Sequence, residues 1–270
     1  MKPNYKNWMP KGMIWSAAAG CAVCLALALL FGLTTLTSGT WKTVLTILFA
    51  VGAAVCVVAT VWMTLMYRAF SYDGKRQMSR QIIDGVAAKV VLPEGGCGLD
   101  VGCGSGALTI AVAKRNPQAR MTGIDRWGAE YSSFSKNLCE ENARAEGVTN
   151  TSFAKGNALK LDFADETFDA VCSNYVYHNI PSRDHQEILM ETLRVLKKGG
   201  TFAVHDIFSP QKYGDMQMFV QRLKNMGYER VELIDTTKGL FMSPWEATWM
   251  ALKGSRGEEI AIRHEEVYTH

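Results

Sequence analysis

Two long stretches of the chain, residues 13–37 and 43–67, are made almost entirely of apolar and small residues. Each is longer than the roughly 20 residues with which a helix crosses a hydrocarbon core of ~30 Å. The residues between them, 38–42, are too few for anything except a tight turn. The pattern therefore predicts a hairpin of two transmembrane helices within residues 1–70.

Two other structures would also explain an apolar N-terminal region. The apolar part of a cleaved signal peptide spans about 7–15 residues, whereas the first stretch here is longer and a second one follows it directly. A buried hairpin of a globular domain would be apolar along one side of each helix, and these stretches are apolar on every side. The membrane hairpin accounts for the pattern better than either alternative.

Positive charges flank the hairpin unevenly. The predicted turn carries only Lys42, while the outer flanks hold Lys2, Lys6, Lys11, Arg68, Lys75, Arg76 and Arg80. Because basic residues accumulate on the cytoplasmic side of membrane proteins, both ends of the hairpin are expected there. The sequence thus predicts an integral membrane protein whose large C-terminal domain is cytoplasmic.

From about residue 75, short apolar runs alternate with stretches of helical spacing. Residues 71–96 are interpreted as a linker with an amphipathic helix, and 97–254 as an α/β domain with a doubly wound, mostly parallel, seven-stranded sheet. Its last two strands, which no helix separates, are expected to form an antiparallel edge pair before a polar tail, 255–270. Helices are predicted at 77–91, 107–115, 130–146, 183–197 and 215–226, and strands at 97–101, 120–125, 151–155, 168–173, 201–206, 230–234 and 247–252.

Charge and cysteine content narrow the classes of function. A formal net charge of +3, without a basic tract interleaved with aromatic residues, argues against a nucleic acid partner. Cys21 and Cys24 form a C-x-x-C pair inside the first apolar stretch, with no second pair and no nearby histidine. Small residues that pack helices explain this pair better than a metal site does, so no metal is predicted.

The first strand of the domain runs into a glycine-rich turn, residues 102–106, with the spacing G-x-G-x-G. A turn that holds a pyrophosphate usually has the spacing G-x-G-x-x-G. Asp100 precedes the turn, where a carboxylate would repel a phosphate but suit a cationic ligand. Asp125 ends the second strand, where it can accept hydrogen bonds from both hydroxyls of a ribose or can cap the next helix.

Further motifs follow the later strands: Gly156-Asn157-Ala158 after the third, residues 169–178 through the fourth, and residues 193–200 before the fifth. In this order and spacing the motifs resemble those of the class I S-adenosylmethionine-dependent methyltransferases. The resemblance covers roughly residues 75–252 and is closest to the small-molecule branch that includes the quinone-biosynthesis C-methyltransferases. It implies a Rossmann-like methyltransferase fold, S-adenosylmethionine as the cofactor and a small-molecule acceptor.

The resemblance also implies a set of cofactor-binding residues. The glycine turn and the acid before it would hold the methionine part, the acid after the second strand the ribose, and the third and fourth strand ends the adenine and the methyl group. The set is Asp100, Gly102, Cys103, Gly104, Gly106, Asp125, Arg126, Asn157, Ala158, Ser173 and Asn174. One departure concerns the adenine position, where the family usually has Asp. The amide oxygen of an Asn can still accept a hydrogen bond, without the assistance of a charge.

Methyl transfer from a sulfonium is an in-line displacement, so the enzyme must first align its substrates in a dry pocket. A base is needed only when the acceptor loses a proton. His178, in the loop after the fourth strand, and His205, at the end of the fifth, are the candidate bases. A purely structural contact explains either histidine equally well.

No motif in the sequence specifies the acceptor atom. The predicted anchor would hold the site next to a bilayer, which favours a lipophilic or membrane-associated acceptor. Two other classes of function stay open at this point. One is a catalytically inactive methyltransferase fold that acts as a membrane-tethered binding module, and the other is a nicotinamide-dependent oxidoreductase, which the glycine spacing disfavours.

Overall fold

The computed structural model describes residues 2–128, 133–228 and 230–236, and the backbone of 257–263. The chain forms two compact units. One comprises residues 6–79, and the other combines residues 1–5 with residues 80–270. The first few residues of the chain therefore belong to the same unit as the C-terminal domain.

The N-terminal unit is built on two long helices, α1 (Lys11–Leu33) and α2 (Gly39–Ala69). At a rise of 1.5 Å per residue they are about 35 and about 46 Å long. Both are long and apolar enough to cross a membrane. The turn lies at residues 34–38 rather than at the predicted 38–42, because the Thr34 hydroxyl bonds back to the Leu30 carbonyl where α1 ends. Lys42 Nζ then donates to the Thr34 carbonyl across the turn.

Small residues bring α1 and α2 close together. A Cβ atom added to Gly20 would lie 3.5 Å from the Cys56 sulfur, and one added to Gly52 would lie 3.2 Å from the Cys24 sulfur. The rings of Phe31 and Phe49 stack with their centroids 5.7 Å apart. Most large apolar side chains of both helices nevertheless remain exposed, since the two helices cover only one side of each other.

The second unit contains a seven-stranded sheet in the order β3-β2-β1-β4-β5-β7-β6. The five strands β1 to β5 are parallel, while β7 runs antiparallel to both β5 and β6. This confirms the doubly wound α/β fold with an antiparallel pair at one edge. The strands are β1 (Cys97–Val101), β2 (Arg120–Asp125), β3 (Thr151–Lys155), β4 (Phe168–Asn174), β5 (Leu196–Ile207), β6 (Arg230–Asp235) and β7 (Gly257–Arg263).

Six helices accompany the sheet: α3 (Met78–Lys89), α4 (Ala107–Arg115), α5 (Lys136–Ala145), α6 (His185–Arg194), α7 (Pro210–Tyr213) and α8 (Met216–Asn225). Side-chain caps set where three of them begin. Ser135 accepts from the Leu138 amide at the start of α5, Asp184 caps α6, and Asp215 caps α8. Each cap satisfies amides that have no partner within the helix.

The structure corrects two sequence predictions in this unit, the start of α5 and the extent of the polar tail. Helix α5 begins at Lys136 and not at 130, because Ser135 caps it, and residues 133–135 are not helical. The predicted strand 247–252 lies outside the described residues. The strand that completes the sheet, β7, falls instead in the predicted polar tail. Glu258 and Glu259 make the start of β7 polar, although the alternation of Ile260 and Ile262 is a strand pattern.

The core lies on both faces of the central strands. Leu99, Val101 and Val171 from β1 and β4 are fully buried, as are Phe202 and Val204 from β5. Parallel strands covered by helices on both sides need such continuous apolar runs. Because the sheet core fixes β1, β2, β4 and β5 side by side, the polar residues at their carboxyl ends meet along one edge.

Candidate functional site

The glycine turn after β1 is shaped by two different demands. Gly102, Gly104 and Gly106 have positive φ angles of 77°, 53° and 81°. A Cβ atom at Gly102 would come within 2.4 Å of the Val176 side chain, so packing alone requires glycine there. At Gly104 the nearest atom to an added Cβ would be 3.8 Å away, on Phe134. A Cβ atom there would be in ordinary van der Waals contact with Phe134, so the positive φ, and not a clash, favours glycine at this position.

Asp125, at the end of β2, contacts the turn at Gly104. Its Oδ2 accepts from the Gly104 amide at 2.9 Å, and its Oδ1 accepts from the Trp127 amide at 2.7 Å. The Trp127 indole in turn donates to the Gly104 carbonyl at 3.0 Å. Trp127 has a φ of 44°, a strained angle for a residue with a side chain. Two of these hydrogen bonds link the β2 end to Gly104, and the third, from the Trp127 amide, holds the half-buried carboxylate in place.

Asp100, also on β1, lies beneath the turn and is 1% exposed. Among the described residues, Thr109 of α4 donates its hydroxyl to Asp100 Oδ2 at 2.6 Å. Burial raises the pKa of Asp100 to about 7, because the hydrogen bonds from the Thr109 hydroxyl and backbone do not replace the water that a charged carboxylate loses. The structure places this predicted residue under the ligand-facing surface of the turn. A cationic ligand above it would favour the charged form.

Residues 4 and 5 fasten to the same turn from the other side. The Ser105 hydroxyl donates to the Tyr5 carbonyl at 3.0 Å, and the Tyr5 side chain is 4% exposed. Asn142 of α5 accepts from the Asn4 amide at 2.6 Å and donates to the carbonyls of Asn4 and Ser105 at 3.2 and 2.9 Å. The buried Asn142 side chain therefore joins the N-terminal segment to the glycine turn.

The residues predicted to face an adenine occupy the loop after β3. Asn157 is exposed, and its Oδ1 accepts from the Leu159 amide at 3.0 Å in a local turn. Ala158 is half-buried next to it, and Arg126, after β2, is exposed. These side chains lie at the carboxyl ends of two strands that pair with each other in parallel.

At the carboxyl end of β4, Ser173 is fully buried and donates to the Val101 carbonyl at 2.7 Å, which joins β4 to β1. Asn174 Oδ1 lies 2.9 Å from His205 Nδ1. Since this oxygen can only accept, Nδ1 carries the proton, and His205 Nε2 accepts from the Thr236 hydroxyl at 3.1 Å. Burial lowers the pKa of His205 to about 4. His205 is therefore neutral with both ring nitrogens engaged.

The second predicted histidine, His178, lies in a 3₁₀ turn (Tyr177–Asn179) directly after β4. Its Nδ1 bonds to Asp206 Oδ1, and its side chain is 18% exposed, whereas Asp206 is fully buried. The Asp206 carboxylate also accepts from the amides of Tyr177, His178 and Ile207 at 2.7, 3.2 and 2.6 Å. The Tyr213 hydroxyl donates to it at 3.3 Å. A dense set of donors thus holds this carboxylate in one orientation beneath the imidazole.

Tyr175 separates the two histidines. Its ring meets His205 edge to face at 4.9 Å and His178 at 6.0 Å. Its φ of 55° is a strained angle of the kind that collects at functional sites. Burial raises the pKa of Tyr175, Tyr177 and Tyr213, so all three phenols stay protonated and cannot act as bases near neutral pH.

The sheet therefore brings the predicted site residues to one edge in two groups, a glycine and carboxylate group at β1 and β2 and a histidine group at β4 and β5. The sequence patterns did not single out Trp127 or Asn142, and they left Asp206, at the end of the fifth strand, open between a base, a substrate contact and a structural pair with His205. An aromatic residue two positions after the β2 acid was the available signal for Trp127. In the part of the chain that the structure describes, no three His, Cys, Asp or Glu side chains gather as a metal site would require.

Comparison with known proteins extends this picture. Residues 94–247, more than half of the chain, match the family model of the methyltransferase domain. The chain is 31% identical over 138 residues to the demethylmenaquinone methyltransferase of Geobacillus stearothermophilus, which covers 50% of this chain and 55% of that protein. The enzyme of the same name from Listeria welshimeri is 34% identical over 125 residues, 45% and 49% of the two chains. The chain thus spans about half the length of the curated relatives it matches.

Solved structures show the same fold. The [4+2]-cyclase SpnF superimposes with a TM-score of 0.53 at 22% identity, over 71% of this chain and 83% of that one. Geranyl diphosphate C-methyltransferase from Streptomyces coelicolor A3(2) does so with a TM-score of 0.52 at 16% identity, over 74% and 84%. Residues 94–247, which match the family model, contain the glycine turn, Asp125 and both histidines. The chain belongs to the methyltransferase domain family.

Proposed function

We propose that the protein is an S-adenosylmethionine-dependent methyltransferase, anchored in a membrane by α1 and α2, that acts on a small lipophilic acceptor. The observation that carries the proposal is the arrangement of Gly104 and Asp125. The Gly104 amide and the half-buried Asp125 carboxylate are hydrogen-bonded to each other at the carboxyl ends of β1 and β2, where α/β folds bind their ligands.

The residues present suit this cofactor. The Asp125 carboxylate, at the end of β2, can accept hydrogen bonds from ribose hydroxyls. The buried, acidic Asp100 favours a ligand with positive charge nearby. When bound, S-adenosylmethionine supplies a methyl group on a sulfonium. The protein's own contribution is to bind, orient and keep water away from that group.

The remaining predicted residues fit as parts of the same site. Asn157 and Ala158 lie where the adenine side is expected, since β3 pairs with β2 in parallel. Ser173 contributes indirectly, because its hydroxyl bonds the end of β4 to the end of β1. Asn174 bonds to His205 and so borders the half of the site assigned to the acceptor.

The membrane anchor rests on the exposed surface of the hairpin. Most of its large Val, Leu, Ile and Trp side chains face outward, and an apolar surface of this extent is unfavourable in water. The basic flanks favour a cytoplasmic catalytic domain. A lipophilic acceptor agrees with this anchor and with the names of the curated relatives, which refer to demethylmenaquinone.

Calorimetric titration of S-adenosylmethionine into the detergent-purified full chain tests the cofactor assignment. We expect binding in the micromolar range that Asp125→Ala abolishes, because this carboxylate both meets the ligand and holds the turn. Asp162→Ala, an exposed acid in a loop after β3, is the matched control and should bind like the wild type. Folded protein that binds no S-adenosylmethionine would contradict the proposal. Binding without methyl transfer to any acceptor would favour an inactive binding module, since the fold alone does not establish the reaction.

A cysteine in the turn of the hairpin tests the anchor and its orientation. Lys42→Cys in intact cells should react with a membrane-impermeant maleimide, whereas the wild-type protein, with Cys97 in the catalytic domain, should react only after lysis. Labelling of the wild type in intact cells would place the catalytic domain on the outer side. Extraction of the protein by alkaline carbonate would argue against a spanning hairpin.

A further inference from the structure

The two histidines at the β4–β5 end of the site differ in what their rings can do. Both nitrogens of His205 are hydrogen-bonded, to Asn174 and Thr236, and the ring is fully buried. His178 uses Nδ1 for Asp206 and is partly exposed. Among the residues that the structure describes, none forms a hydrogen bond with His178 Nε2. Only His178 therefore has a ring nitrogen available to an incoming molecule.

The contact with Asp206 settles which nitrogen this is. A carboxylate accepts a hydrogen bond, so Nδ1 of a neutral His178 carries the proton and Nε2 presents its lone pair. Asp206 is itself held by the amides of Tyr177 and Ile207 and by the Tyr213 hydroxyl. The imidazole therefore cannot rotate without breaking its bond to a carboxylate that is fixed from three elements.

We propose that His178 is the general base of the reaction, with Asp206 as its positioning residue, and that the acceptor is a molecule that loses a proton when it is methylated. Hydroquinones, phenols and acidic carbon acids belong to this class, whereas thioethers and tertiary amines do not. This inference rests on the proposed methyltransferase function and narrows its substrate class.

The proton and electron balance of the step is simple. His178 Nε2 uses its lone pair to take the acceptor's proton, and the electrons of the broken bond stay on the acceptor anion, which attacks the methyl group through the deprotonated atom or, in a hydroquinone, through a conjugated ring carbon. The sulfonium, on giving up its methyl group, keeps the electron pair of the broken carbon–sulfur bond as a neutral thioether. The protonated imidazole, stabilised by Asp206, then loses its proton through its exposed edge.

Several charged or titratable groups surround this imidazole and enter its pH dependence. Asp206 on β5 bonds to the ring, and Lys212 of α7 donates to the His178 carbonyl. Tyr213 of α7 and Tyr175 after β4 stay neutral, because burial raises the pKa of both phenols. Protonation of His178 at low pH removes the lone pair, so turnover should fall on the acidic side.

The test uses the full chain in detergent with reduced demethylmenaquinone, a hydroquinone, as the methyl acceptor and dodecyl methyl sulfide as the acceptor without a proton to lose. We expect turnover of the hydroquinone and none of the sulfide. His178→Gln should lower the rate about 100-fold, which is typical for loss of a general base, and should flatten the acidic side of the pH–rate profile. Its affinity for S-adenosylmethionine, measured by calorimetry, should stay within about twofold of the wild type, near the 0.4 kcal/mol that such a ratio represents.

Two further measurements separate a base from a structural histidine. His178→Gly should regain turnover when 4-methylimidazole is added, since a free imidazole can replace the base but cannot replace a packing contact. Nitrogen NMR of histidine-labelled wild type without acceptor should show His178 protonated at Nδ1 only. In the double variant His178→Gln with Asp206→Asn, the rate should fall no further than in His178→Gln alone, because Asp206 acts through the imidazole.

Wild-type rates and an unchanged pH profile in His178→Gln would overturn the proposal. So would protonation of Nε2 in the neutral ring, or wild-type protein that binds S-adenosylmethionine but methylates only the sulfide or neither acceptor. Failure to bind S-adenosylmethionine at all is a different result, since it contradicts the methyltransferase function itself.

Discussion

Two aspartates on neighbouring parts of the sheet are equally buried but differently surrounded. Asp100 on β1 and Asp206 on β5 are 1% and 0% exposed. Asp100 has the hydroxyl and the backbone of Thr109 as donors among the described residues, whereas Asp206 accepts from three amides, a phenol and an imidazole. An aspartate thus has few hydrogen-bond donors in one half of the site, at Asp100, and many in the other half, at Asp206.

The difference agrees with the role proposed for each half. In the β1–β2 half, a carboxylate that binds its proton readily can become charged when a cationic ligand arrives. In the β4–β5 half, a carboxylate that protein donors hold in place can orient an imidazole before any ligand binds. Preorganisation of this kind avoids a rearrangement at the moment of reaction.

The largest effect is expected when the well-solvated carboxylate is altered. Asp206→Asn puts an amide NH₂ group among donors that need an acceptor, and it should lower the free energy of unfolding by about 3 kcal/mol. Urea unfolding of the full chain in detergent, followed by tryptophan fluorescence, measures this loss. A change below about 1 kcal/mol would mean that the Asp206 contacts contribute little to the fold.

The matched substitution Asp100→Asn should change stability by an amount that depends on pH. The pKa of Asp100 is about 7 in the folded chain and 3.8 when unperturbed, so the folded chain holds the extra proton between these values. Its contribution to stability is therefore present below about pH 4 and is lost as the pH rises towards 7. The stability of Asp100→Asn relative to the wild type should therefore rise by about 2–3 kcal/mol between pH 5 and pH 8.

Unfolding curves at both pH values for both proteins check this prediction. Equal pH dependence in the two proteins would show that Asp100 ionises normally and that the contrast between the two aspartates does not hold. Near neutral pH, S-adenosylmethionine should also bind the wild type with release of a proton, because the cation favours the charged carboxylate.

The smallest of the three effects on stability is expected for Gly104, in the β1–β2 half of the site. Gly104→Ala should cost about 1 kcal/mol of stability because its φ is 53°, yet it should weaken S-adenosylmethionine binding at least about tenfold. Gly147→Ala is the matched control, since Gly147 has a φ of 69° and open space around it at the end of α5. It should show the same loss of stability with unchanged affinity, and equal affinity losses in both variants would argue against a ligand at Gly104.

Local patterns predicted much of the fold, and their failures have physical causes. Strands β1, β2 and β3 have the bounds that the sequence predicts. Strand β7 was assigned to a polar tail because an antiparallel strand with two glutamates at its start does not look apolar. Helix α5 begins late because Ser135, and not the helical pattern, decides its first turn.

Part of the site could also be predicted from the sequence. Acids and glycines at strand ends are readable from sequence, since topology alone brings those ends together. The division of labour between His178 and His205 was not readable. It depends on Thr236 and Asn174 for one ring and on Asp206 for the other, and these partners are far apart in sequence. Trp127 was missed for the same reason, because its indole bonds to a carbonyl 23 positions away.

The bond between Asn4 and Asn142 has a consequence for the order of events during synthesis. These residues are 138 positions apart, so the beginning of the chain cannot settle until α5 has left the ribosome. All of α1 and α2 is made in between. The glycine turn therefore gains its contacts with Tyr5 late, in a contact that is long-range in sequence and slow to close. A nascent chain arrested before residue 142 would hold a complete hairpin and a glycine turn without its contacts to Asn142.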